Sequence, residues 1–112
     1  MTQLNHTIVS CLDPQRSADF LTEILGRPSA QRFGPFLVVE LDNGVSLDFV
    51  AKDGRIATQH YAFLVTDEEF DEVLARLRAK RLPHWGDPYR SRRNQVNRYD
   101  GGRGVYFERP DC

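Results

Sequence analysis

The sequence is poor in cysteine, with only Cys11 and Cys112 among 112 residues, and it has a single methionine and a single tryptophan. Two cysteines so placed make no disulfide framework. The fold must hold by packing, and a reducing compartment suits it. Long apolar runs are missing too. The longest reach four or five residues, as at Ala62–Val65, where a membrane-spanning helix needs about 20. The opening residues Met1-Thr2-Gln3-Leu4-Asn5-His6 hold no basic stretch followed by an apolar one, so no secretory signal is expected and the expected compartment is the cytoplasm. Charge of one sign is not in excess. Fifteen basic and sixteen acidic side chains leave a net charge of −1, which gives no global attraction to nucleic acid or to a membrane surface.

What is present is ordinary globular material, 40% hydrophobic and 28% charged, enough for one domain spanning residues 1–112. Charge is uneven along the chain. Five acids fall within residues 67–72, and Arg90, Arg92, Arg93, Arg98, Arg103 and Arg109 crowd the last quarter. An arginine cluster of this kind reads first as a solvated loop.

Leu4–Cys11 reads as a strand with β-branched Thr7, Ile8 and Val9 at its centre. Asp13-Pro14 then predicts a helix start, since aspartate caps free N–H groups and proline has none to waste at the first position. The pairs Phe20/Ile24 and Leu21/Leu25 carry that helix to about Leu25, and Gly26 closes it. A short extended piece is expected around Gln31–Phe33. Phe36–Leu41 and Val45–Val50 form two more strands, and Asp42-Asn43-Gly44 between them predicts a type I′ hairpin. Thr58–Val65 reads as the next strand. Asp67 is expected to cap a helix to about Lys80, with Phe70, Val73, Leu74 and Leu77 buried. Pro83 ends it. His84-Trp85 reads as loop or a very short strand, Arg90–Gly102 as loop, and Gly104–Arg109 as a strand. Tyr61, Tyr99 and Tyr106 read as packing or rim aromatics.

The two halves align with an offset of 54. Asn5-His6-Thr7 falls on Gln59-His60-Tyr61, and Asp13 falls on Asp67. A strand histidine followed seven residues later by a capping aspartate, twice, implies a duplicated β-α-β-β-β unit. The modules span about residues 1–53 and 54–112. The fold class is then α+β, with two βαβββ modules forming a curved mixed-sheet cup, the second lacking its last strand.

The stretches Asn5-His6-Thr7-Ile8-Val9, Arg16–Gly26, Val45-Ser46-Leu47-Asp48-Phe49, His60–Val65 and Gly104–Asp111, in that order and spacing, resemble the vicinal oxygen chelate superfamily. That superfamily includes glyoxalase I, bleomycin-resistance proteins and extradiol dioxygenases. The resemblance covers almost the whole chain and implies a cup in which His6 and His60, with Asp48 from the last strand of the first module, bind one divalent metal. Zn, Ni, Fe or Mn would suit such a donor set. It implies a small-molecule substrate with vicinal oxygens, a homodimer, and no nucleic-acid or membrane partner. Arg92, Arg93 and Asn97 are candidates for the mouth of the cup, holding substrate. No catalytic acid or base is assigned. Family members usually continue past Pro-Asp-Gly into a final strand bearing a glutamate ligand, whereas this chain reads Pro110-Asp111-Cys112. Three functions therefore stand open: a metal-dependent lyase or dioxygenase, a metal-free binding protein of the bleomycin-resistance type, or a truncated, inactive relative.

Overall fold

A computed structural model describes residues 1–87, 89–98 and 102–110. Tyr99 and Cys112 of the sequence reading lie outside the described residues. Two compact units are formed, Met1–Ala62 with Arg109 and Pro110, and Phe63–Glu108.

The first unit holds β1 (His6–Cys11), α1 (Pro14–Leu25), β2 (Gln31–Phe33), β3 (Phe36–Glu40) and β4 (Ser46–Ala51). Local chemistry sets α1 as expected. The Asp13 carboxylate accepts from the Arg16 N–H at 3.1 Å, and Gly26 ends the helix at φ +68° with its own N–H on Glu23 O. The strands lie in the order β1-β4-β3-β2, with β1 parallel to β4 and the other pairs antiparallel. One face packs on α1. Val9, Cys11, Leu37, Val39, Leu47 and Phe49 meet Ala18, Leu21 and Ile24 there, and all are buried. The Cys11 thiol lies inside this core and donates to Val50 O at 3.6 Å and Val9 O at 3.9 Å. The hairpin between β3 and β4 differs from the expected type I′ turn. Among the turn residues only Gly44 has positive φ, at +80°, and the Gly44 N–H bonds Leu41 O at 3.3 Å. This is the turn-plus-bulge alternative, which needs one left-handed residue where type I′ needs two.

The second unit holds α2 (Asp67–Ala79), β5 (His84–Trp85) and β6 (Tyr106–Phe107), the two strands pairing antiparallel. Phe70, Val73, Leu74 and Leu77 are buried along α2, as the spacing predicts. The cap is Thr66, one residue before the expected Asp67. Its hydroxyl accepts from the Glu69 N–H at 3.2 Å while the Glu69 carboxylate accepts from the Thr66 N–H at 2.9 Å. This reciprocal pair satisfies two helix-end donors at once, which an Asp67 cap would not do with Glu69. Thr66→Ala is expected to cost about 1 kcal/mol and to lower the thermal midpoint by roughly 4–8 °C for a chain of this size, read from a circular-dichroism melt.

Two expected strands are corrected. Residues 58–65 form no strand, and Gly104–Arg109 shortens to Tyr106–Phe107, with Gly104 bridged only to Asn97. The first segment keeps a strand's alternation: Tyr61, Phe63 and Val65 are half-buried while His60, Ala62 and Leu64 are exposed. A strand is defined by its hydrogen-bonded neighbour as well as its side chains, and no described strand pairs with this connector. Among the described residues Arg81, Arg90 and Asn94 adopt positive φ without being glycine, a conformation that costs such residues about 1 kcal/mol each.

Candidate functional site

Side chains of a strand alternate between faces, so the register of the first sheet fixes what its open face carries. His6 lies beside Ser46 and Ile8 beside Asp48 across the parallel β1–β4 pair, while Val38 and Glu40 of β3 face Asp48 and Ser46. His6, Asp48 and Glu40 therefore share the face turned away from α1. His6 and Asp48 are diagonal neighbours on adjacent strands, roughly 8 Å apart at Cα from the ~4.8 Å strand spacing and ~3.3 Å rise. Around them the face is mostly apolar, with Ile8, Phe36, Val38 and Val50 half-buried or exposed.

Both donors are oriented by neighbours. The His6 Nδ1 lies 2.6 Å from Asn5 Oδ1. That amide oxygen only accepts, so Nδ1 donates in this contact, and in the neutral ring Nε2 is the nitrogen left to bind a metal. The Ser46 hydroxyl donates to Asp48 Oδ1 at 2.9 Å, which leaves Oδ2 the freer oxygen. An imidazole that donates from one nitrogen to a neighbour, and a carboxylate with one oxygen already hydrogen-bonded, are the arrangement that metal-binding side chains need. His6 and Asp48 thus fit a divalent ion as two of its donors.

His60 is placed otherwise than the duplicated pattern predicts. It is exposed on the irregular connector, not on a strand equivalent to β1. Among the described residues no three His, Cys, Asp or Glu side chains come together as a metal-holding group. Glu40 was missed in the sequence because its position on the same face follows only from the β3–β4 register.

The candidates of the arginine-rich loop lie in the second unit. Asn97 is buried and its amide donates to Gly86 O at 3.0 Å, while its backbone bonds Gly104 in both directions. Gly104 is required here, since a Cβ would fall 2.7 Å from Asn97 Nδ2. Arg92 is exposed and its N–H donates to Asp87 Oδ1 at 2.9 Å. Arg93 is exposed and bridges Trp85. Residues 90–95 and Arg98 are exposed, as a solvated loop would be, while Asn97 pins the segment from inside. Arg103 stacks over Phe70 at 4.4 Å and pairs with Asp71 at 2.7 Å. Arg90 pairs with Glu108 and lies over Trp85.

Asp87 organises the start of this loop, and the Ser91 hydroxyl that it accepts, helped by the Arg92 and Ser91 N–H groups, holds its carboxyl below the usual value of 3.8. A depressed carboxylate supports the folded loop fully above the unfolded value and loses that support as pH falls through its lower folded value. The Ser91 and Arg92 amide resonances are expected to stay constant from pH 7 to about 5 and to move only below about pH 4. Movement centred near pH 6 would contradict this.

No protein-family model matches the chain, and no curated protein does. Solved structures do. The chain is similar to "Oxidase ChaP-H1", with 52% identity and a TM-score of 0.97 over 99% of this chain and 90% of that one. It is similar to "Oxidase ChaP-H2" at 50% identity and TM-score 0.95, over 98% of this chain and 87% of that one. It also shares its fold with a glyoxalase/bleomycin resistance protein/dioxygenase from Alicyclobacillus acidocaldarius, at 16% identity and TM-score 0.62, over 96% of this chain and 83% of that one. A mixed four-stranded sheet with an open polar-and-apolar face, a second small sheet and two helices define a glyoxalase-like α+β protein. The chain belongs to the vicinal oxygen chelate superfamily, as its sequence motifs imply. Among the described residues no helix is long and apolar enough to cross a membrane.

Proposed function

We propose that the protein is a metal-dependent oxidase or dioxygenase acting on a small molecule with vicinal oxygens, its chemistry seated on the open face of the four-stranded sheet. The observation that carries this reading is the placement of His6 and Asp48 as diagonal neighbours on that face, each already oriented by a neighbour. Oxidation is favoured over lyase chemistry because the relatives at 52% and 50% identity are named oxidases, while the glyoxalase-type neighbour stands at 16%.

His6 Nε2 and Asp48 Oδ2 would hold the ion, with His60 as the third donor. A divalent ion held there supplies Lewis acidity toward paired substrate oxygens and, as iron or manganese, access to dioxygen chemistry. The chain's own residues do the rest. Asn5 keeps the His6 proton on Nδ1, Ser46 keeps Asp48 turned, and Ile8, Val38 and Val50 offer an apolar bed for a planar substrate while displacing water. His60 is not gathered with the other two within one chain, and residues 58–65 keep a strand's alternation without a strand partner. We therefore read the active form as a homodimer, in which the connector pairs and His60 is brought in.

The test is to prepare metal-free protein without a histidine tag, load Fe(II), Mn, Ni or Zn anaerobically, and follow oxygen uptake with a catechol-type or hydroquinone-type substrate panel. Metal-dependent uptake supports the reading. Tight ligand binding with no metal requirement would favour the binding-protein alternative.

A further inference from the structure

The second unit contains a cleft of about 370 Å³ between the end of α2 and the loop after β5, lined by Arg78, Arg81, Arg93 and His84, with Leu82 and Pro83 forming an apolar wall. It uses no residue of the His6–Asp48 face. Three exposed arginines line one opening, and among the described residues none of the three is paired with a carboxylate. Like charges so gathered repel one another unless an anion sits between them.

A second observation points the same way. His84 is 3% exposed, and its Nδ1 lies 3.0 Å from Leu82 O, an acceptor, so Nδ1 carries the proton. Its Nε2 is buried and has no hydrogen-bond partner among the described residues. Buried polar atoms rarely stay unpartnered, and each such case calls for an explanation. A third observation is backbone strain. Arg81 sits at φ +53° just past the end of α2, where glycine would fit without strain. Strain of this kind concentrates at binding sites. Three carbonyls of the last turn of α2, Arg76 O, Leu77 O and Arg78 O, accept from the Lys80, Leu82 and Arg81 N–H groups at 2.9–3.0 Å, and the three arginines must outweigh what remains of the helix's negative end.

We propose that this cleft binds the phosphate group of a small phosphate ester. Guanidinium forks match phosphate oxygens. His84 lines the cleft, and its unpartnered Nε2 is closed off while the cleft is empty, so it meets a phosphate oxygen only when the ring turns toward the bound ligand. The cleft is larger than a phosphate alone, and Leu82 and Pro83 give the organic part an apolar surface.

The test uses full-length protein in a buffer of fixed ionic strength. Inorganic phosphate and phenyl phosphate are titrated by calorimetry, and the His84 ring nitrogens are followed by ¹⁵N NMR. Saturable binding with a shift of the His84 Nε2 signal, and tighter binding of phenyl phosphate than of inorganic phosphate, are expected. Arg93→Gln and Arg78→Gln should each weaken binding by about ten-fold, the effect of one lost charge-assisted contact. Arg81→Gly is the decisive variant: it should weaken binding similarly while leaving the thermal midpoint unchanged or higher, because it relieves the strained backbone. The proposal is overturned if chloride at matched ionic strength competes as well as phosphate, if succinate binds more tightly than either phosphate, or if the arginine variants bind as the parent does. It is equally overturned if the His84 signal stays fixed at saturation.

Discussion

Replacing Phe49 with alanine is expected to remove about 3–5 kcal/mol of stability, a large share of the roughly 5–15 kcal/mol that holds a domain of this size. Phe49 is fully buried and is the largest of the fully buried side chains. It sits in β4, the strand hydrogen-bonded on both sides, opposite Val9 of β1 and Leu37 of β3, both buried themselves. Its ring also lies under the Arg109 guanidinium at 5.9 Å. Truncation opens a cavity at the junction of β1, β3, β4 and α1, where neighbours held by two ladders cannot collapse inward. A shift in the urea midpoint, at unchanged slope, measures the loss. A change below about 1 kcal/mol would mean that this face of the sheet is not the core of its unit. Val50→Ala, one position along on the open face, should cost far less and serves as the control.

The elements that were legible in the sequence are those fixed by neighbours within four residues. Asp13-Pro14 and Gly26 bracket α1 because capping is a local hydrogen-bond problem, and the Phe70–Leu77 stripe marks α2 because burial follows helical spacing. What was not legible depends on partners far along the chain. Residues 58–65 alternate as a strand should, yet alternation reports which side chains avoid water, not what the backbone bonds to. His84 reads as a loop residue beside Pro83, but its pairing with Phe107 draws it inside. Thr66 outcompetes Asp67 as cap only because Glu69 stands at the right distance to answer it.

The candidate site divides along the same line. Asp48 is conspicuous as an acid between Leu47 and Phe49, and His6 as a histidine opening a strand. That they share a face follows from the parallel β1–β4 register, which no local signal contains. Glu40 joins them for the same reason. Arg92, Arg93 and Asn97 were grouped because they are polar and close in sequence. The structure separates them: Asn97 secures the loop through Gly86 and Gly104, Arg92 lends a backbone N–H to Asp87, and Arg93 reaches the cleft beside His84.

The other large effect is expected at His6 and Asp48. His6→Ala and Asp48→Asn should each weaken divalent-metal binding on the order of 100-fold or more, since each removes a donor, and loss of only an orienting partner already costs about 10–100-fold. Asn5→Ala and Ser46→Ala remove just such partners of His6 Nδ1 and Asp48 Oδ1, and should fall in that smaller range. Thermal midpoints of the metal-free variants should remain near the parent's, because His6 is exposed and Asp48 half-buried on the face away from α1. This separates the pair from Phe49, whose truncation lowers stability with or without metal. The measurement is competition of Fe(II), Mn, Ni and Zn against a fluorescent chelator, done in parallel with melts. If His6→Ala binds metal as the parent does, the open face is not the metal centre. If His6→Ala loses binding while Asp48→Asn keeps it, the carboxylate must come from elsewhere on that face, and Glu40, in register with Ser46 beside His6, becomes the donor to replace next.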